Sequence, residues 1–211
     1  MRLRHARTDL ELHELSHRDG PALLLLHALG GSSAGWSELP ASWPGSVFAL
    51  DFSGHGRSAR VHGGVYMPEL LVADADAALA AIGPAALAGA GLGAYVALLL
   101  AGGRRDQVGG ALLLAGRGLN GAPQPDFDRP MLSLFKPDAH PPLPPDCDPL
   151  LCALEADVRP ADYAVRYAHA ARRVLLHEDG SARPPWWEAV RAAPSAEIVG
   201  GDAASALMRL A

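Results

Sequence analysis

Lysine is almost missing from this chain: Lys136 is the only one among 18 basic residues, against 23 acidic ones. The resulting net charge of −5 removes any electrostatic reason to expect nucleic acid or an anionic membrane as partner, since both select basic patches. The arginine skew reads as the coding bias of a GC-rich, bacterial genome. Cysteine is nearly absent too, and Cys147 and Cys152 are too few for a disulfide framework or a four-ligand zinc site. They read as reduced thiols of a cytoplasmic protein. Met1 to Leu15 lacks the apolar core of a signal peptide, so export is not expected. Charge itself vanishes over the 27 residues 77–103, a length that hydropathy alone assigns to a membrane span. Gly83-Pro84 and the glycines at 89, 91 and 93 interrupt that run, and the pattern predicts helix, turn, buried strand, tight turn and second helix.

What the chain does have is apolar mass, 49% of its 211 residues, enough for one sizeable core and a single domain over 1–211. Met1–Ala6 and Leu10–Ser16 read as a first hairpin. Ala22–Leu26, Val47–Leu50, Ala85–Ala88, Ala111–Leu114 and Val174–Leu176 are short continuous apolar runs, the texture of strands covered on both faces. Helical patterns fall between them at Ala34–Trp43 (broken by Pro40), Met67–Ile82, Gly93–Ala101, Ala161–Ala171, Trp186–Ala193 and Ala203–Leu210. Alternation of this kind predicts a mostly parallel sheet with right-handed crossovers. Residues 117–160 depart from it, with ten of the 18 prolines, and are read as a short cap over the strand ends. The four tryptophans, Trp36, Trp43, Trp186 and Trp187, are expected to anchor helices to the sheet.

Three motifs stand in order along this frame. Leu26-His27-Ala28-Leu29-Gly30-Gly31 ends the third strand. Asp51-Phe52-Ser53-Gly54-His55-Gly56-Arg57-Ser58 follows the fourth, and Gly89-Ala90-Gly91-Leu92-Gly93 joins a strand to a helix. Together they resemble the α/β-hydrolase superfamily: a His-Gly segment that helps form the oxyanion hole, an Asp-x-x-Gly-x-Gly-x-Ser loop, and a Gly-x-Ser-x-Gly nucleophile elbow. The resemblance implies an α/β-hydrolase fold, a mostly parallel sheet of about eight strands with helices on both faces. It also implies an oxyanion hole built from the N–H groups of Leu92 and of Ala28 or Leu29.

The departures from that family are as specific as the match. Glycine stands at position 91 where the nucleophilic serine belongs, and no histidine follows His177; Gly200-Gly201-Asp202 occupies the turn that carries the family's base. Gly91 and Asp202 are thus the vestigial nucleophile and base positions, with Glu178 or Asp179 at the acid position. The elbow also resembles that of the N-myc downstream-regulated family, hydrolase-fold proteins taken to be non-catalytic. The implied function is a pseudo-hydrolase that binds a small carbonyl or carboxylate ligand, or a protein partner, without cofactor or metal, using His27, Ala28, Leu29, Gly91, Leu92 and His177. Gly91 is expected to be an open, unstrained floor beside free backbone donors, and a homodimer stays open. The alternative is an active esterase, thioesterase or lactonase that uses another nucleophile (Ser32, Ser33, Ser53, Ser58, Cys147 or Cys152) or a water activated by His177. A third reading takes Gly89-x-Gly91-x-x-Ala94 as a dinucleotide fingerprint with Arg117 on a 2′-phosphate.

Overall fold

The computed structural model describes residues 1–36, 39–63, 65–119 and 142–211. Half of the cap read at 117–160, residues 120–141 with His140 and Lys136, lies outside them. The strands are β1 (Arg2–His5), β2 (Thr8–Ser16), β3 (Ala22–Leu26), β4 (Val47–Asp51), β5 (Ala85–Ala90), β6 (Val108–Leu114), β7 (Val174–His177) and β8 (Ala196–Val199). They form one eight-stranded sheet in the order β1-β2-β4-β3-β5-β6-β7-β8. Pairing is antiparallel only where β2 meets β1 and β4; β3 through β8 run parallel.

The helices are α1 (Leu39–Ser42), α2 (Pro68–Ile82), α3 (Leu92–Gly103), α4 (Ala161–Ala170), α5 (Pro185–Val190) and α6 (Ala203–Leu207). Their placement explains why β3 is apolar without alternation. Leu24 and Leu26 pack into a core with residues of α2 to α5, while Leu23 and Leu25 pack with Trp43 and residues of α1 and α6 on the opposite face. Both faces of a central strand are dry, so both residue parities must be hydrophobic. The charge-free run 77–103 resolves into the end of α2, β5 and α3, and among the described residues no helix is long and apolar enough to cross a membrane.

One helix differs from its expected form. Among the described residues, the stretch expected as a helix broken by Pro40 holds a 3-10 turn over Ser33–Gly35 and the four-residue α1, with Pro40 in the first turn of α1, where a missing N–H is tolerated. The tryptophans behave as anchors at three of their four positions: Trp43, Trp186 and Trp187 are buried, and the Trp43 indole donates to Pro21 O at 2.6 Å.

All parallel strands end on one side, which gathers the loops after β3, β4, β5, β6 and β7 at a single edge, where open α/β sheets place their sites. At that edge α3 enters closely under β3: a Cβ on Gly93 would sit 2.0 Å from Leu26 O. The last glycine of the elbow is therefore fixed by strand-to-helix contact, whatever residue precedes it.

Candidate functional site

The loops after β3 and β4 are bound together by one buried carboxylate. Asp51 accepts from the backbone N–H of Ser33 at 2.6 Å and of Arg57 at 3.0 Å, and from His13 Nε2 at 3.1 Å. Burial pushes its pKa upward, but the Ser33 and Arg57 N–H groups outweigh that and hold the carboxyl below its ordinary range. Asp51→Asn turns one acceptor into a donor facing these groups. It is expected to cost about 2 kcal/mol, read as a lower urea midpoint with unchanged slope.

His27, expected to meet a ligand, is instead closed into the protein. Its Nδ1–H donates to Ala28 O at 2.8 Å and its Nε2 accepts from Phe52 N–H at 3.1 Å, so the neutral ring has no free nitrogen. His55 is fully buried and packs edge-on against it, ring centroids 4.8 Å apart. Ser58 Oγ accepts from Glu11 N–H at 2.9 Å and donates to Asp51 O. Ser53 Oγ is buried without a partner among the described residues, and no histidine nitrogen is hydrogen-bonded to it.

The elbow keeps its backbone and fills its own site. Gly91 has φ +53° and ψ −114°, so the sharp strand-to-helix turn persists, in a conformation that glycine adopts without strain and a side chain would not. The space above it is taken. A Cβ on Gly91 would lie 2.3 Å from Arg117 O and 2.5 Å from Gly116 C, closer than side-chain atoms approach backbone. Arg117 O accepts from Leu29 N–H and from Leu92 N–H, each at 3.0 Å. These are the two donors that the sequence assigned to an oxyanion hole, and the geometry is the one such a hole offers to a substrate carbonyl. The expectation of free donors is corrected accordingly: the chain's own carbonyl occupies them.

Two glycines allow that insertion. A Cβ on Gly116 would meet Gly91 N at 2.7 Å, and one on Gly118, where φ is +99°, would meet Leu29 Cβ at 2.8 Å. Between them the Arg117 side chain turns away, pairing through Nε with Glu155 and donating from Nη1 to Pro142 O at 3.1 Å. The same contacts disfavour the dinucleotide reading: Leu92 N–H at the start of α3 is engaged, and the Arg117 guanidinium is paired.

At the ends of β7 and β8 the remaining candidates are spread over separate tasks. His177 Nε2 donates to Gly201 O at 2.9 Å. Glu178 pairs with Arg191. Asp179 accepts from Ser181 N–H and from Arg183 Nη2, both at 2.9 Å. Asp202 caps α6, accepting from Ser205 N–H at 2.8 Å. Among the described residues, none of the four is hydrogen-bonded to a hydroxyl or thiol above the elbow. Cys147 and Cys152 are buried free thiols. Desolvation raises both, with Asp146 adding to it at Cys147, which reaches about 11; neither is the thiolate a nucleophile needs.

The sequence profile of the alpha/beta hydrolase family matches residues 23–210. The chain belongs to the α/β-hydrolase family. Among curated proteins none matches its sequence, but many solved structures share its shape. A hydrolase from Pseudomonas aeruginosa superposes with a TM-score of 0.76 at 17% identity, over 100% of this chain and 97% of that one. A thioesterase domain from the curacin biosynthetic pathway gives 0.72 at 19% identity, over 100% and 97%. The bottromycin epimerase BotH, in complex with bottromycin A2, gives 0.69 at 20% identity, over 100% and 94%.

The site has two features that motif reading missed. One is the Gly116-Arg117-Gly118 insertion, signalled only by a pair of glycines directly after a parallel strand. The other is Arg183. Beside the filled elbow lies a small, shallow, solvent-open cleft, lined in part by Gly91, Leu114, Ala115, Arg183, Trp186 and Trp187. The indole ring of Trp187 carries the Arg183 guanidinium at 4.8 Å, so the Pro-Pro-Trp-Trp stretch both anchors α5 and walls the cleft.

Proposed function

We propose that this α/β-hydrolase-family chain is non-hydrolytic and acts by binding a small molecule at the carboxyl ends of its strands. The observation that carries the reading is the Arg117 carbonyl, held 3.0 Å from both Leu29 N and Leu92 N in the position a scissile acyl oxygen takes in a working hydrolase. A substrate carbonyl must displace a backbone segment pinned by two glycine contacts and the Arg117–Glu155 pair, and would then find no hydroxyl at position 91. The loss of one triad member alone lowers turnover by orders of magnitude, and here the nucleophile, the base and access to the oxyanion donors are lost together. The bottromycin epimerase among its structural neighbours supports the view that this fold serves chemistry other than hydrolysis.

The test is direct. The purified protein is expected to resist labelling by a fluorophosphonate probe and to leave p-nitrophenyl butyrate at the buffer rate. Labelling, or turnover abolished by His177→Ala, would establish the active-hydrolase reading instead.

A further inference from the structure

The carbonyl that fills the elbow belongs to a single peptide plane between two fixed points. On one side Arg117 is tied through its guanidinium to Glu155 and to Pro142 O. On the other, Leu119 is fully buried, its N–H donates to Leu154 O at 2.8 Å, and its carbonyl accepts from the Trp186 indole at 3.3 Å. Leu119 takes φ +56°, a conformation that strains a leucine and persists only where the surroundings over-determine it. The plane between them is held along one edge. Arg117 O accepts from Leu29 and Leu92 N–H, whereas the Gly118 N–H on its far edge makes no backbone hydrogen bond among the described residues.

From this juxtaposition we infer that the Arg117–Gly118 peptide is a switch that closes the elbow with the chain's own carbonyl: rotation of that one plane turns the carbonyl out and the Gly118 N–H in, while both flanking residues stay in place. Gly118 permits the rotation. Its φ of +99° in the closed state and the negative value that the rotated plane needs are equally open to glycine. The vacated donors do not go unsatisfied, since the small cleft lined by Gly91, Gly116 and Gly118 opens to solvent and admits water to them. The open state presents three N–H groups, of Leu29, Leu92 and Gly118, and no acceptor, a concavity that suits a carbonyl or carboxylate oxygen. The closed state is autoinhibitory, because a ligand of these strand ends competes with an internal carbonyl and its apparent affinity falls with the open fraction. The switch rests on the non-hydrolytic reading of the same strand ends and adds a gate to it.

Amide hydrogen exchange on the intact protein, followed by NMR across low urea concentrations, reads the switch. The N–H groups of Leu29 and Leu92 sit on separate elements but share one acceptor, so both are expected to exchange through one common opening that urea barely affects. Leu25 and Leu112, in the core of the sheet, should exchange only through the urea-dependent global opening. Leu119 N–H, at the fixed end, should stay more protected than the pair. Gly118→Ala favours the open plane, because a side chain at φ +99° is strained and its Cβ would meet Leu29 Cβ at 2.8 Å. It should speed exchange of the pair about tenfold or more relative to Leu25. Gly83→Ala, at φ +83° with open space around it and at the opposite end of β5, carries similar backbone strain and should leave that ratio unchanged. Wild-type protein in which the pair exchanges with the urea dependence of Leu25 overturns the proposal without recourse to any variant. So does Leu119 exchanging in step with the pair, which would mean that the whole loop lifts. A ratio that Gly118→Ala leaves unchanged, or that Gly83→Ala raises equally, overturns it as well. Turnover of p-nitrophenyl butyrate would end the non-hydrolytic reading and leave the exchange result standing; a rigid plane would end the switch and leave that reading.

Discussion

Restoring the missing groups, Gly91→Ser together with Asp202→His, is expected to give a less stable protein with no esterase activity. In a working elbow the serine side chain projects into open space over the sheet. Here its Cβ would fall 2.3 Å from Arg117 O, and no rotamer relieves a clash made by Cβ itself. Either Gly116-Arg117-Gly118 retreats, breaking the bonds from Leu29 and Leu92 and the glycine contacts, or the elbow distorts. Overpacking of this sort costs about 1–3 kcal/mol, and a side chain at φ +53° adds about 1 kcal/mol or more. A total near 3 kcal/mol lowers Tm by about 6–12 °C in a chain of this length. Asp202→His also removes the α6 cap. Calorimetry and a p-nitrophenyl butyrate assay read both consequences, and a double variant that melts with the parent and turns over the ester would refute the plugged elbow.

The fold was legible because its determinants are local and repeated. The apolar runs at Ala22–Leu26 and Val174–Leu176, the breaks at Gly83-Pro84 and the glycine cluster at 89–93 each specify an element, and their order specifies the sheet. The elbow was legible as well, since Gly89-Ala90-Gly91-Leu92-Gly93 joins β5 to α3 as its glycine spacing suggests. The plug was not. Nothing in Gly116-Arg117-Gly118 says that a carbonyl will turn inward, because that depends on how far β6 stands from β3 and α3, a distance no short motif encodes. Arg183 escaped notice for a related reason: an arginine next to Asp179 reads as a solvated surface pair, and only packing under Trp187 makes it a buried cation with idle donors. His27 shows the converse pull. A histidine at a strand end beside a predicted site invites a ligand role, while the backbone of Ala28 and Phe52 takes both its nitrogens.

That histidine and its neighbour predict a steep acid sensitivity. Burial lowers the pKa of His27, and for His55 burial, reinforced by proximity to His27, brings it down to about 3. Both rings are therefore neutral in the folded protein across the range where an unfolded histidine, near 6.5, takes up a proton. The sign follows from linkage: the unfolded chain binds more protons than the folded one below pH 6.5, so stability is complete above that pH and is lost as pH falls toward the folded values. His55 contributes a slope of about 1.4 kcal/mol per pH unit below 6.5, about 2 kcal/mol between pH 7.5 and pH 5, and His27 adds to it in the same direction. Urea midpoints measured across that interval at constant ionic strength should fall steadily. His55→Leu is the discriminating variant, because His55 makes one long bond, Nδ1 to Ser53 O at 3.3 Å, and leaves Nε2 without a partner. Replacing it with a hydrocarbon of similar size is expected to keep the midpoint at pH 7.5 and to make the slope toward pH 5 shallower. A wild-type midpoint that stays flat over this interval, or a His55→Leu slope equal to the parent's, would show that the buried pair does not hold its rings neutral.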